Sequence, residues 1–138
     1  MTLARACVGA WVTAILVLTA CERTEPTVTF RTQESFSKSE DQASGATPPR
    51  PLTHLSPVVP ESCWKAGVEG TFVFSATITE TGAVENLQLQ QPGVVSPPCP
   101  ALEVAVRNVL SQSKYEPTVR DGRATRVALT ITARIEAR

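Results

Sequence analysis

The sequence predicts an α+β fold, a three-stranded antiparallel sheet with two helices on one face, and three observations predict it. Apolar and polar residues alternate with period two over residues 71–79 and again over 124–136, the pattern of strands buried on one face. A glycine-bearing turn follows the first stretch, and a second alternating stretch follows the turn, which reads as a hairpin. Residues 101–112 carry apolar side chains at the 3.6-residue spacing of a helix. A shorter helical segment precedes the hairpin, so the order is helix, strand, strand, helix, strand. Stacking both helices on one sheet face buries every apolar stripe.

Each element has a local cause. In residues 60–67, Pro60 suits a first helical turn, Glu61 suits the positive helix end, and Gly67 can close the helix. In the first strand, Phe72, Phe74, Ala76 and Ile78 share one face while Ser75, Thr77 and Thr79 share the other. Glu80-Thr81-Gly82-Ala83 is the turn, with glycine where a positive φ is expected. The return strand over 84–91 turns Leu87 and Leu89 inward, and Val84 breaks the alternation, which predicts a bulge or a late start. Residues 92–100 form a proline-rich loop, and Pro100 begins the longer helix. There Leu102, Ala105, Val106, Val109 and Leu110 line one side, opposite Glu103, Arg107, Asn108 and Ser111. Asp121-Gly122-Arg123 is a turn. The last strand, 124–136, alternates Val127, Leu129, Ile131, Ala133 and Ile135 with Ala128, Thr130, Thr132, Arg134 and Glu136.

The chain before this domain reads differently. Residues 7–20 are apolar without a charge, and Arg5 precedes them. A membrane-crossing helix needs about 20 apolar residues, so the shorter run fits the core of a secretion signal. Leu18-Thr19-Ala20-Cys21 resembles the bacterial lipobox. That resemblance implies that residues 1–20 are removed and that Cys21 carries lipid, a firm anchor when several acyl chains are attached. Residues 22–56 are rich in Ser, Thr, Glu, Gln and Pro, and 35–46 hold one large apolar residue, Phe36. This composition predicts a flexible tether. The organisation is thus a signal over 1–20, lipid cysteine and tether over 21–56, and a domain over 57–138. His54 falls in the tether and receives no role.

Composition excludes several functions. Thirteen basic and thirteen acidic residues balance, which argues against nucleic acid as a partner. One histidine and two aspartates supply little for acid–base or metal chemistry. Ser62 and Ser96 have no histidine in the domain to serve as base, so no catalytic residue, metal site or cofactor is expected. Cys63 and Cys99 remain once the signal is removed and Cys21 is lipidated. Two cysteines cannot make a four-ligand zinc site. Export permits a disulfide, and a Cys63–Cys99 bridge is expected, with two free thiols as the alternative.

Several motifs resemble one known family. Pro57-Val58-Val59-Pro60 followed by Gly70 in Gly67-Val68-Glu69-Gly70-Thr71-Phe72 is similar to the opening of the TonB carboxy-terminal domain. Thr79-Glu80-Thr81-Gly82-Ala83-Val84 resembles its hairpin turn. Lys114-Tyr115-Glu116-Pro117, with Asp121-Gly122-Arg123-Ala124, resembles its passage from the last helix to the last strand. Order and spacing agree over about residues 57–136. Val59 stands where the family usually has an aromatic residue, Ser56 where it has glutamine, and Pro97-Pro98-Cys99-Pro100 replaces a small polar run. The cleaved signal and short tether also differ from the membrane helix and long rod of an energy-coupling TonB.

The resemblance implies a module of the Gram-negative cell envelope that captures a segment of a protein, such as an outer-membrane receptor, by adding it to a sheet edge. The sequence offers the last strand as that edge, with Thr130, Thr132 and Arg134 on its outward side. Glu22 after the lipid cysteine leans toward the outer membrane, on the periplasmic side. The competing expectation is a structural envelope lipoprotein that self-associates, for example as a homodimer, with the strand edge covered by the tether or a second copy.

Overall fold

A computed structural model describes residues 24–138; the expected signal and Cys21 lie outside the described residues. The described chain is α+β with an antiparallel sheet. In chain order it holds β1 (Val28–Phe36), α1 (Ser39–Ala43), α2 (Glu61–Lys65), β2 (Val68–Ile78), β3 (Val84–Ser96), α3 (Pro100–Gln112), β4 (Thr118–Arg120), β5 (Arg123–Thr125) and β6 (Val127–Ala137). The main sheet is four-stranded, β1-β6-β2-β3, and β4 with β5 forms a separate two-stranded ribbon.

The core follows from the alternation. Phe72, Phe74, Ala76 and Ile78 of β2, and Leu129, Ile131, Ala133 and Ile135 of β6, are buried together. α3 lays Leu102, Val106 and Leu110 against them, while Ala105 is half-buried and Val109 is buried on the same side. α2 joins this helical layer through the Cys63–Cys99 disulfide, whose Cα atoms are 6.0 Å apart, so the bridge prevails over free thiols. β3 runs to Ser96 and takes in half of the expected loop. The expected bulge appears as register shifts along β2/β3, with Asn86 at a φ of 52°.

The hairpin turn is built by Thr79. Its amide donates to the Ala83 carbonyl (3.0 Å), its carbonyl accepts from the Gly82 amide (3.0 Å), and its side-chain oxygen accepts from the Ala83 amide (3.1 Å). These bonds satisfy polar groups that the tight turn would otherwise bury unpaired.

The stretch expected to be a free tether, residues 22–56, is corrected where it is described. Its residues 28–36 form β1, which pairs with β6 at nine successive positions from Val28↔Ala137 to Phe36↔Leu129. α1 is held by a salt bridge from buried Asp41 to Arg120. Residues 50–53 zip against 114–116: the Leu52 amide donates to the Lys114 carbonyl (2.7 Å) and the Glu116 amide to the Arg50 carbonyl (2.8 Å). The sheet therefore has four strands rather than three, and there are three helices rather than two. The last strand also splits, its first residues forming β5 of the ribbon with β4.

Candidate partner-binding strand edge

β6 carries all three residues that the sequence offers as an edge. Thr130, Thr132 and Arg134 occupy alternate positions on the sheet face opposite the helices, and Arg134 is the most exposed of them. β6 is not an edge here, however. It lies between β2 and β1, and each of the three residues has a partner on both sides: Ser75 and Ser35 for Thr130, Val73 and Gln33 for Thr132, Thr71 and Arg31 for Arg134. The expectation of an open last strand is thus corrected in favour of its alternative, an edge covered by the tether, which supplies β1.

The direction of the backbone groups can be read from the ends of the β1/β6 ladder. Thr27 and Arg138 exchange both amide-to-carbonyl bonds (2.9 and 3.1 Å), and the Ser37 amide donates to the Ala128 carbonyl (3.1 Å). Antiparallel pairs alternate between bonded and non-bonded positions. The bonded positions are therefore the odd-numbered residues of β1 and the even-numbered residues of β6. The amides and carbonyls of Thr130, Thr132 and Arg134 point toward β1, and those of Leu129, Ile131 and Ala133 toward β2. The three residues named from the sequence are the ones whose main chain receives an added strand.

β1 fits this position imperfectly. Its inward side chains are Val28, Phe30, Thr32, Glu34 and Phe36, and of these Phe36 alone is fully buried. Arg31 lies directly opposite Arg134, and like charges directly opposite are unfavourable. Arg134 is paired with Glu136 of its own strand (3.3 Å), while Arg31 has no ion pair among the described residues. On the inner side, a cleft of about 400 Å³ opens beside Thr32, lined also by Phe30, His54, Leu55, Leu110 and Tyr115. His54 lies in this cleft and not in a free linker.

Glu34 approaches Tyr115, whose hydroxyl donates to Glu34 Oε1 at 3.4 Å. Tyr115 is 1% exposed. Burial, then the Glu34 charge and this hydrogen bond, hold its phenol protonated well above the usual range. It is the chain's one tyrosine, so a spectroscopic titration reads it alone. Tyrosinate absorbance of the native protein is expected to stay absent through about pH 10, where the unfolded chain is half ionised. Because the folded-state pKa lies above the unfolded one, this contribution to stability is complete below pH 10 and declines as pH rises beyond it. A native titration coincident with that of the denatured chain would contradict the buried placement.

Reading 22–56 as one polar segment missed β1, although Val28-Thr29-Phe30 alternates in a strand's rhythm. Glu34 gave no sequence signal, because a lone glutamate in a polar stretch is indistinguishable from a solvated one. Among the described residues, no group of three or more His, Cys, Asp or Glu side chains is placed to hold a metal. No helix among them is long and apolar enough to cross a membrane.

Residues 56–135 match the model of a protein family described as Gram-negative bacterial TonB protein C-terminal. No curated protein matches the chain.

Proposed function

The chain belongs to the TonB carboxy-terminal domain family, and from that membership we propose that it is a membrane-anchored module capturing an extended partner segment by strand addition along β6. The family is one of protein-interaction domains of the Gram-negative envelope, linked to transport, which fits a binding module and not an enzyme. The observation that carries the reading is β1 itself. A strand of nine residues from outside the family-matched region pairs with β6 along nearly its whole length, so that side of β6 can accept an extended segment. Main-chain bonds then supply affinity, and the flanking side chains of Thr130, Thr132 and Arg134 supply selection.

The anchor in this reading is lipid on Cys21, in the outer membrane and facing the periplasm. With β1 docked, residues 22–27 separate that cysteine from the sheet, a reach of about 20 Å when fully extended. Photo-crosslinking in intact cells from position 132, with position 88 on β3 as control, tests the reading. Adducts with an outer-membrane receptor from 132 alone are expected, and a labelled fatty acid supplied to the cells should mark the native chain and not Cys21→Ser. Absence of any receptor adduct from position 132 would overturn partner capture; adducts to a second copy would point to self-association instead. Absence of that label from the native chain would overturn the lipid anchor.

A further inference from the structure

We propose that β1 is an exchangeable occupant of the β6 acceptor edge, and that the segment displacing it is an extended peptide with an acidic side chain opposite Arg134 and a large apolar one at the next position. This deepens the strand-addition reading and rests on it. Three observations carry it.

The first is charge. β1 sets Arg31 against Arg134 across the strands, and Thr29, Arg31, Arg134 and Glu136 line a cleft on the outer sheet face in which Glu136 alone offsets the two arginines. An Asp or Glu in place of Arg31 turns a repulsive cross-strand pair into an attractive one. The second is shape. The neighbouring inward position, Thr32, borders a cleft of about 400 Å³ whose walls outside β1 include Leu55, Leu110 and Tyr115. A leucine-sized side chain at that position enters space that threonine leaves open. The third is the weakness of the present occupant. β6 and β2 turn apolar residues inward along their whole lengths, whereas β1 turns in Thr32 and Glu34. β1 has a neighbour on one side only, so leaving breaks one ladder, together with the burial of Phe36 and the Tyr115–Glu34 hydrogen bond.

Exchange also changes reach. Releasing β1 while α1 stays docked through Asp41 and Arg120 returns residues 22–38 to the tether. The fully extended span from Cys21 then grows from about 20 Å to about 60 Å. Capture of a partner and extension of the anchor become one event.

The test uses the full chain in detergent and two labelled synthetic peptides. One has the sequence of residues 27–37; the other carries Arg31→Glu and Thr32→Leu within it. The substituted peptide is expected to bind about 3- to 10-fold tighter, and Arg134→Glu in the protein should abolish or reverse that preference. Gln33→Pro removes an amide that faces β6 and should tighten binding of either peptide about 10-fold or more, because the tethered competitor is weakened. Gln33→Cys with Thr132→Cys, an opposed pair about 5.5 Å apart at Cα and within disulfide range, should close the edge. Its disulfide-locked form is expected to lose peptide binding relative to a Gln33→Ser, Thr132→Ser control.

Equal binding by locked and control proteins would overturn exchange while leaving strand addition at another edge intact. Binding without preference between the peptides would overturn the assigned partner chemistry. Failure of both peptides to bind even the Gln33→Pro protein would overturn strand addition itself.

Discussion

Gly82→Ala is expected to lower stability by about 3 kcal/mol or more, the largest loss from a glycine-to-alanine change among the described residues. Gly82 has a φ of 82°, a region that costs an L side chain about 1–2 kcal/mol. A Cβ there would also overlap the Tyr115 carbonyl oxygen, which is main chain and cannot rotate aside. The displaced bond matters too: the Tyr115 amide donates to the Gly82 carbonyl at 2.9 Å and ties the hairpin turn to the segment after α3. Gly122→Ala is the control, with a similar φ of 75° and nothing within 4 Å of the added carbon; it should cost about 1 kcal/mol. Thermal melts of the two variants separate the terms. A drop of about 10–20 °C is expected for Gly82→Ala and a few degrees for Gly122→Ala. Equal drops would show that the clash with Tyr115 contributes nothing.

Removing the Cys63–Cys99 bridge with alanine at both positions is expected to cost about 3–4 kcal/mol. The bridge closes a loop of sequence separation 36, and the loss of that restraint on the unfolded chain gives this magnitude. The native state should suffer most at α2. That helix has five residues and none of them is fully buried, so little besides the bridge fixes it to the start of α3. Denaturant unfolding measures the global loss. Hydrogen exchange locates it, with amides of α2 losing protection ahead of those in β2 and β6. Unchanged protection in α2 would show that its packing through half-buried Cys63 and Trp64 suffices alone.

Both effects arise in parts of the fold that are legible in the sequence. Phe72, Phe74, Ala76 and Ile78, the turn at Gly82, the stripe from Leu102 to Leu110, and Val127 to Ile135 each repeat at the spacing of the element they form. That repetition is a local consequence of burying one face, so a single sequence displays it. The pairing of Cys63 with Cys99 needed geometry in addition, because the spacing of two cysteines says nothing about their distance in space.

The candidate site was legible only in part. Thr130, Thr132 and Arg134 are identifiable as the outward side of the last strand, since alternation assigns faces. Alternation assigns no neighbours. A strand with the same side-chain pattern can end a sheet or sit within it, because the main-chain groups that decide the matter are identical in every residue. β1 illustrates the same limit from the other side. With Thr32 and Glu34 turned inward, its hydrophobic pattern is too weak to announce a strand, and its ordering depends on a row of amides and carbonyls that exists only after β6 has been laid against β2.

By itself, then, the sequence determined the α+β class, the core residues of β2, α3 and β6, the hairpin turn and which face of the last strand points outward, all of them properties of spacing along the chain. The tertiary structure alone decided that β6 is enclosed, that the expected tether supplies its cover, and that Arg31 is held against Arg134. Those are properties of strand neighbours, fixed by unsatisfied backbone groups and by side chains that the chain brings together from opposite ends.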